Sequence, residues 1–163
     1  MADLGAEMDL TAGQDRQRLE AETRPVVLVG EDDPDIQDAV SELLASAGYE
    51  VVCADDGQEM AAFLDGGLHP TVILLDLMMP RVNGYDFLAW RGVRPHLRQI
   101  PVVVFSASAC NEVLVRAQQV SALLVKPVPA QELLSAISRA AGREATAGSA
   151  GPIPPCASDR VHA

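Results

Sequence analysis

Five short apolar runs, each followed by a stretch with apolar residues at helical spacing, constrain this chain more than any other feature. The runs cover 26–30, 49–54, 72–75, 102–105 and 122–125. Helices are expected over 34–47, 57–65, 85–91, 111–119 and 129–140. In the first of these Ile36, Val40, Leu43 and Leu44 share a face, Pro34 stands at a first helical position and Gly48 lies past the end. Continuous apolar strands separated by helices imply an α/β fold whose parallel sheet is covered on both faces. In such sheets ligands bind beyond the carboxyl ends of the strands, at the topological switch point. The residues just after each strand are therefore the ones that carry chemistry.

Composition narrows the class. Hydrophobic residues make up 48% of the 163, enough for one ordinary core and too few residues for two comfortable domains. Residues 1–24 are read as a flexible polar leader, 25–142 as the folded domain, and 143–163, rich in Ala, Gly, Pro and Ser, as a disordered tail too short for an output domain. No apolar run approaches the roughly 18 residues of a membrane span, and residues 1–24, polar and net acidic, are not expected to act as a secretory signal. A formal charge of −11 argues against nucleic acid as a direct ligand. Cys53, Cys110 and Cys156 form no CxxC pair, so neither zinc nor a disulfide framework is expected. A reducing cytoplasm fits.

The strand ends are chemically loaded. Glu31, Asp32 and Asp33 follow the first, Asp76 the third, Ser106 the fourth, and Lys126-Pro127 the fifth. Carboxylates crowded at one sheet edge repel one another unless a cation joins them. An oxygen-only set favours Mg2+ or Ca2+, and Mg2+ takes one or two carboxylates plus substrate phosphate. Eleven of the twelve basic residues are Arg, and the only Lys is Lys126. An ammonium there offers a compact charge for a phosphate oxygen, and Ser106 a hydroxyl for another. This is a constellation for phosphoryl transfer by charge and positioning, with Asp76 as nucleophile.

With those residues in view, the chain resembles the receiver domain of two-component response regulators over about residues 25–142. The resemblance rests on Asp32-Asp33, on Asp76-Leu77-Met78-Met79-Pro80 running to Asn83-Gly84, on Ser106-Ala107 and on Lys126-Pro127. It implies a flavodoxin-like (βα)5 doubly wound sheet of five parallel strands in the order 2-1-3-4-5. It implies that Asp76 takes a phosphoryl group from the phosphohistidine of a sensor histidine kinase or histidine phosphotransfer protein. Asp33 and Asp76 would ligate Mg2+, Asp32 acting through water, and the Met78 carbonyl would be a further ligand. Lys126 would pair with the phosphoryl group, Ser106 would hydrogen-bond it, and Lys126-Pro127 would be cis. Such a chain is no turnover enzyme. It signals by binding a downstream protein, as a monomer or weak dimer.

Departures from the family pattern bear on the output. Leu123 stands where many receivers carry a switching aromatic, and Gln119-Val120 stands where many have Gly-Ala, so a short or poorly capped helix 111–119 is expected. Met78 and Ser108 occupy positions that tune hydrolysis in the family, and an apolar Met78 predicts a slow one.

Simpler readings stand beside these. Asp32-Asp33-Pro34 also reads as a helix start. Asp76, Ser106 and Lys126 also read as turn or surface residues. Cys53 and Cys110 are read as packing residues, His69 and His96 as loop residues, and Trp90 as packing on its own helix. A dehalogenase-type hydrolase would need an acid where Met78 stands, and a flavodoxin-like cofactor binder lacks its phosphate loop after the first strand. A receiver-shaped interaction module independent of phosphate is the main alternative.

Overall fold

The computed structural model describes residues 24–107, 115–116 and 118–142. The expected leader, most of the 111–119 helix, Ser108, Cys110, Cys156 and the 143–163 tail lie outside those residues.

Strands β1 (Val26–Gly30), β2 (Glu50–Ala54), β3 (Val72–Leu75), β4 (Val102–Ser106) and β5 (Ala122–Val125) form one parallel sheet in the order β2-β1-β3-β4-β5. The helices are α1 (Pro34–Ser46), α2 (Gly57–Asp65), α3 (Gly84–Gly92), a short α4 (Pro95–Arg98) and α5 (Ala130–Ala140). Because side chains alternate along a strand, each central strand feeds two cores. Val27 and Val29, Val72 and Leu74, and Val103 and Phe105 pack with Val40 and Leu44 of α1 and Leu133, Ala136 and Ile137 of α5. Leu28, Ile73, Leu75, Val102 and Val104 pack on the other face with Met60 and Leu64 of α2, Phe87 and Leu88 of α3 and Leu97 of α4. Fully burying one such side chain stabilises by about 1.5–3 kcal/mol. β3 is buried at all four residues, and its central place puts the next residue, Asp76, in the middle of the sheet edge.

One feature differs from the sequence reading, and another had no counterpart in it. The α4 turn makes His96 helical rather than a loop residue. Arg91, on an otherwise ordinary amphipathic helix, is fully buried. Its guanidinium donates to the carbonyls of Gln118, Arg98 and Ile100 at 3.3, 2.8 and 2.6 Å, tying α3 to the segments that enter β4 and β5. Trp90 stacks on Phe87 of the same helix, with centroids 5.8 Å apart, and carries the Arg94 guanidinium over its ring.

Candidate functional site

β1 ends at Gly30, so Glu31 is the first residue past the strand, and its N–H still reaches the Ala54 carbonyl at 3.1 Å. Its side chain is buried. One carboxylate oxygen accepts the Asp33 N–H at 3.1 Å and the other accepts Lys126 Nζ at 2.5 Å. Gln37 of α1 fixes the backbone here by donating to the Glu31 carbonyl at 2.5 Å, and it also reaches Asp55 Oδ1 at 2.9 Å.

The neighbouring acids divide the work. The carboxylate oxygens of Glu31, Asp32 and Asp76 lie within 4.8 Å of one another. Asp33, expected as a direct ligand, is absent from that cluster. Its Oδ1 caps α1 instead, accepting the N–H groups of Asp35 at 2.9 Å and Ile36 at 3.3 Å. The physical reason is position: Asp33 has extended backbone one residue before the helix, where a short acid satisfies otherwise unpaired donors. The acidic pair at the site is thus Glu31-Asp32, one residue earlier than the sequence reading placed it.

Asp76 is buried and hydrogen-bonded on every side. Its N–H donates to the Gly30 carbonyl at 2.9 Å, Oδ1 accepts the Met78 N–H at 3.1 Å, and Oδ2 accepts Lys126 Nζ at 3.2 Å. The loop that follows is closed by Gly84 N–H to the Leu77 carbonyl at 3.0 Å. A Cβ on Gly84 would lie 2.5 Å from the Asp76 carbonyl, so this approach requires glycine.

Ser106 ends β4 and is buried. Its carbonyl accepts the Lys126 N–H at 2.9 Å, which sets the lysine at the same edge. The Lys126-Pro127 bond is cis. Lys126 Nζ also lies 4.5 Å from the Phe105 ring centroid. Burial alone would lower its pKa, but the Glu31 hydrogen bond and the charges of Asp76 and Glu31 outweigh burial and hold the ammonium above its ordinary range. Glu31 is pushed above the ordinary carboxylate range by burial, with the Asp76 charge adding to it, against the Lys126 and Asp33 hydrogen bonds. One ammonium therefore faces more negative charge than it neutralises. A hard dication fits this all-oxygen donor set, with Asp32 exposed toward solvent and Glu31 and Asp76 buried behind it.

Gln37, Asp56 and Arg81 were not singled out by sequence reasoning, and Glu31 was named among the strand-end acids without a role of its own. Glu31 had a signal, being the first residue after the β1 run. Asp56 had a helix-start signal in Glu59 three residues on, but nothing announced its tie to Arg81. Gln37 and Arg81 had none, because their side-chain partners Asp55 and Asp56 are remote in sequence. Leu123 is half-buried against the core, and Cys53 sits 3.2 Å from the Ser41 hydroxyl as a packing residue. No helix among the described residues is long and apolar enough to cross a membrane.

The family described as response regulator receiver domain matches residues 27–138. The transcriptional regulatory protein PdtaR of Mycobacterium tuberculosis is 35% identical over 121 residues, 72% of this chain and 57% of the relative. Of eight such curated relatives, the chain spans between 24% and 57% of the length. Among solved structures, the chemotaxis response regulator CheY4 of Vibrio cholerae superposes with a TM-score of 0.66 at 29% identity, covering 72% of this chain and 99% of its own. The Mn(2+)-bound form of response regulator Rcp1 superposes with a TM-score of 0.59 at 28% identity, covering 72% and 90%.

Proposed function

The chain belongs to the response regulator receiver family, and on that premise we propose that it accepts a phosphoryl group on Asp76 from the phosphohistidine of a histidine kinase or phosphotransfer protein. The observation that carries this reading is the convergence of Glu31, Asp32 and Asp76 on one strand-end edge with Lys126 bonded to two of them. An Asp76 carboxylate oxygen forms the new P–O bond, the P–N bond to the donor imidazole breaks, and the imidazole leaves with the electron pair. Lys126 exchanges a carboxylate for a phosphoryl oxygen, and the Ser106 hydroxyl donates to another.

Asp32, Asp76 and the Met78 carbonyl would hold Mg2+, with Glu31 at the second acidic position. The bound dication supplies the positive charge that lets carboxylate and phosphoryl oxygens approach one another. The metal-bound state of Rcp1 supports this reading. Asp33 serves it indirectly, by capping α1 and so fixing the Glu31-Asp32 turn. The protein acts as an acceptor rather than a turnover enzyme, in the cytoplasm, signalling through a downstream protein as a monomer or weak dimer. With apolar Met78 two residues beyond the nucleophile, hydrolysis of the acyl phosphate is slow.

Incubation with Mg2+ and a small phosphodonor, followed by intact mass, tests this. One phosphoryl adduct is expected on the wild type, absent from Asp76→Asn and blocked by EDTA. No adduct, with a phosphohistidine donor protein also failing, would overturn the reading. A phosphate-independent interaction module then remains, favoured by apolar Leu123 where relatives switch an aromatic. Its mark is equal partner binding by wild type and Asp76→Asn.

A further inference from the structure

The turn between β2 and α2 touches both halves of the acidic cluster without belonging to it. On one side, Gln37 bridges the Asp55 carboxylate and the Glu31 carbonyl. On the other, Gly57 N–H donates to the Val82 carbonyl at 2.8 Å, and Asp56 is ion-paired with Arg81. Val82 and Arg81 lie on the loop that starts at Asp76 and carries Met78. A Cβ on Gly57 would lie 2.8 Å from a Val82 methyl and 2.9 Å from the Val82 carbonyl, so the two loops are in direct backbone contact.

Asp56 does more than cap a helix. Its Oδ1 accepts the Glu59 N–H at 2.8 Å, which is the whole requirement of an N-cap. Its second oxygen goes to Arg81, although the Asp56 side chain is almost wholly buried and that of Arg81 is 63% exposed. Arg81 in turn has a φ of +61°, a left-handed conformation disfavoured for a residue with a Cβ. Such a conformation persists where tertiary ties over-determine it. The Asp56 carboxylate and the adjacent Gly57–Val82 hydrogen bond are those ties.

We propose that Asp56 and Arg81 are positioning residues for the cation half of the site: their ion pair latches the Met78–Asn83 loop to the β2–α2 turn and so sets the affinity for Mg2+. The inference rests on the Mg2+ reading above and deepens it. For Arg81 it makes a prediction opposite in sign to simple electrostatics. Removing the positive Arg81 would tighten cation binding if only its field mattered, and removing the negative Asp56 would loosen it. A latch requires both to loosen.

The test is a Mg2+ titration of the unphosphorylated full chain followed by amide chemical shifts. Arg81→Ala and Asp56→Asn, which keeps a capping oxygen, are each expected to raise the half-saturating Mg2+ concentration by about tenfold, the scale of lost outer-shell support. The double variant should be no worse than either single one, and Arg81→Lys should recover part of the loss. Gly57 amide exchange should quicken in both single variants, a readout independent of the metal. Arg81→Ala binding Mg2+ as tightly as wild type, or more tightly, would overturn the latch while leaving the acceptor reading intact. A wild type with no saturable Mg2+ response would instead overturn the reading on which the latch rests.

Discussion

The two sides of the site are built to different tolerances. Asp76 sits at the end of the fully buried central strand β3, with backbone and both carboxylate oxygens engaged and Gly84 packed against its carbonyl. Lys126 sits at the end of the edge strand β5, where Val125 is 53% exposed and Ala122 and Leu123 are only half-buried. The nucleophile is fixed by packing, whereas the cation is held mainly by the carboxylates it faces. A phosphoryl acceptor benefits from that division, since a fixed nucleophile lowers the cost of alignment while a tethered ammonium moves to an arriving oxygen.

The comparison breaks if side-chain truncations on the two strands cost the same. Leu74→Ala on β3 should lose about 2–5 kcal/mol in urea unfolding, as a fully buried leucine does. Val125→Ala on β5 should stay within about 0.5 kcal/mol. Gly84→Ala comes next, costing about 1–3 kcal/mol because a methyl 2.5 Å from the Asp76 carbonyl forces backbone to shift. It should also slow phosphorylation more than its stability loss explains, since the displaced carbonyl belongs to the nucleophile.

On the lysine side, Lys126→Ala should cost about 1–3 kcal/mol, because buried Glu31 loses its ammonium and keeps only the Asp33 N–H on its side chain. Adding Glu31→Gln should recover stability but not phosphorylation, and recovery of both would mean that the ammonium has no chemical part. The smallest effect is expected at Asp56. Its Glu59 and Arg81 bonds hold its pKa below the ordinary carboxylate range, despite the opposing effect of burial. Its contribution is therefore complete above the ordinary value of 3.8 and is lost as pH falls through the lower folded value. Stability of Asp56→Asn should fall less steeply than that of wild type below that pH, as unfolding curves from neutral to acid conditions would show.

The parallel sheet and the places of Asp76, Ser106 and Lys126 were legible because apolar runs end abruptly at polar residues and parallel topology brings those ends together, whereas the strand order came from the family resemblance. The acidic run Glu31-Asp32-Asp33 was legible as a group but not in its parts. β1 ends at Gly30 as expected, but which of the three acids caps α1 depends on the backbone of Asp33, two residues beyond the buried Glu31. Arg91 was opaque for another reason. Nothing beside it in the sequence announces that carbonyls at 98, 100 and 118 will converge on its guanidinium. The same holds for Gln37 and for Asp56 with Arg81, whose partners lie across loops.

The claim that Asp76 is the phosphoryl acceptor is tested most directly by reductive trapping. Borohydride converts an aspartyl phosphate to homoserine, which peptide mapping locates. Homoserine at position 76 alone, requiring both Mg2+ and phosphodonor, is the expected result. Trapping at Asp32 or Asp33, or none at any position while the mass adduct persists, would contradict it.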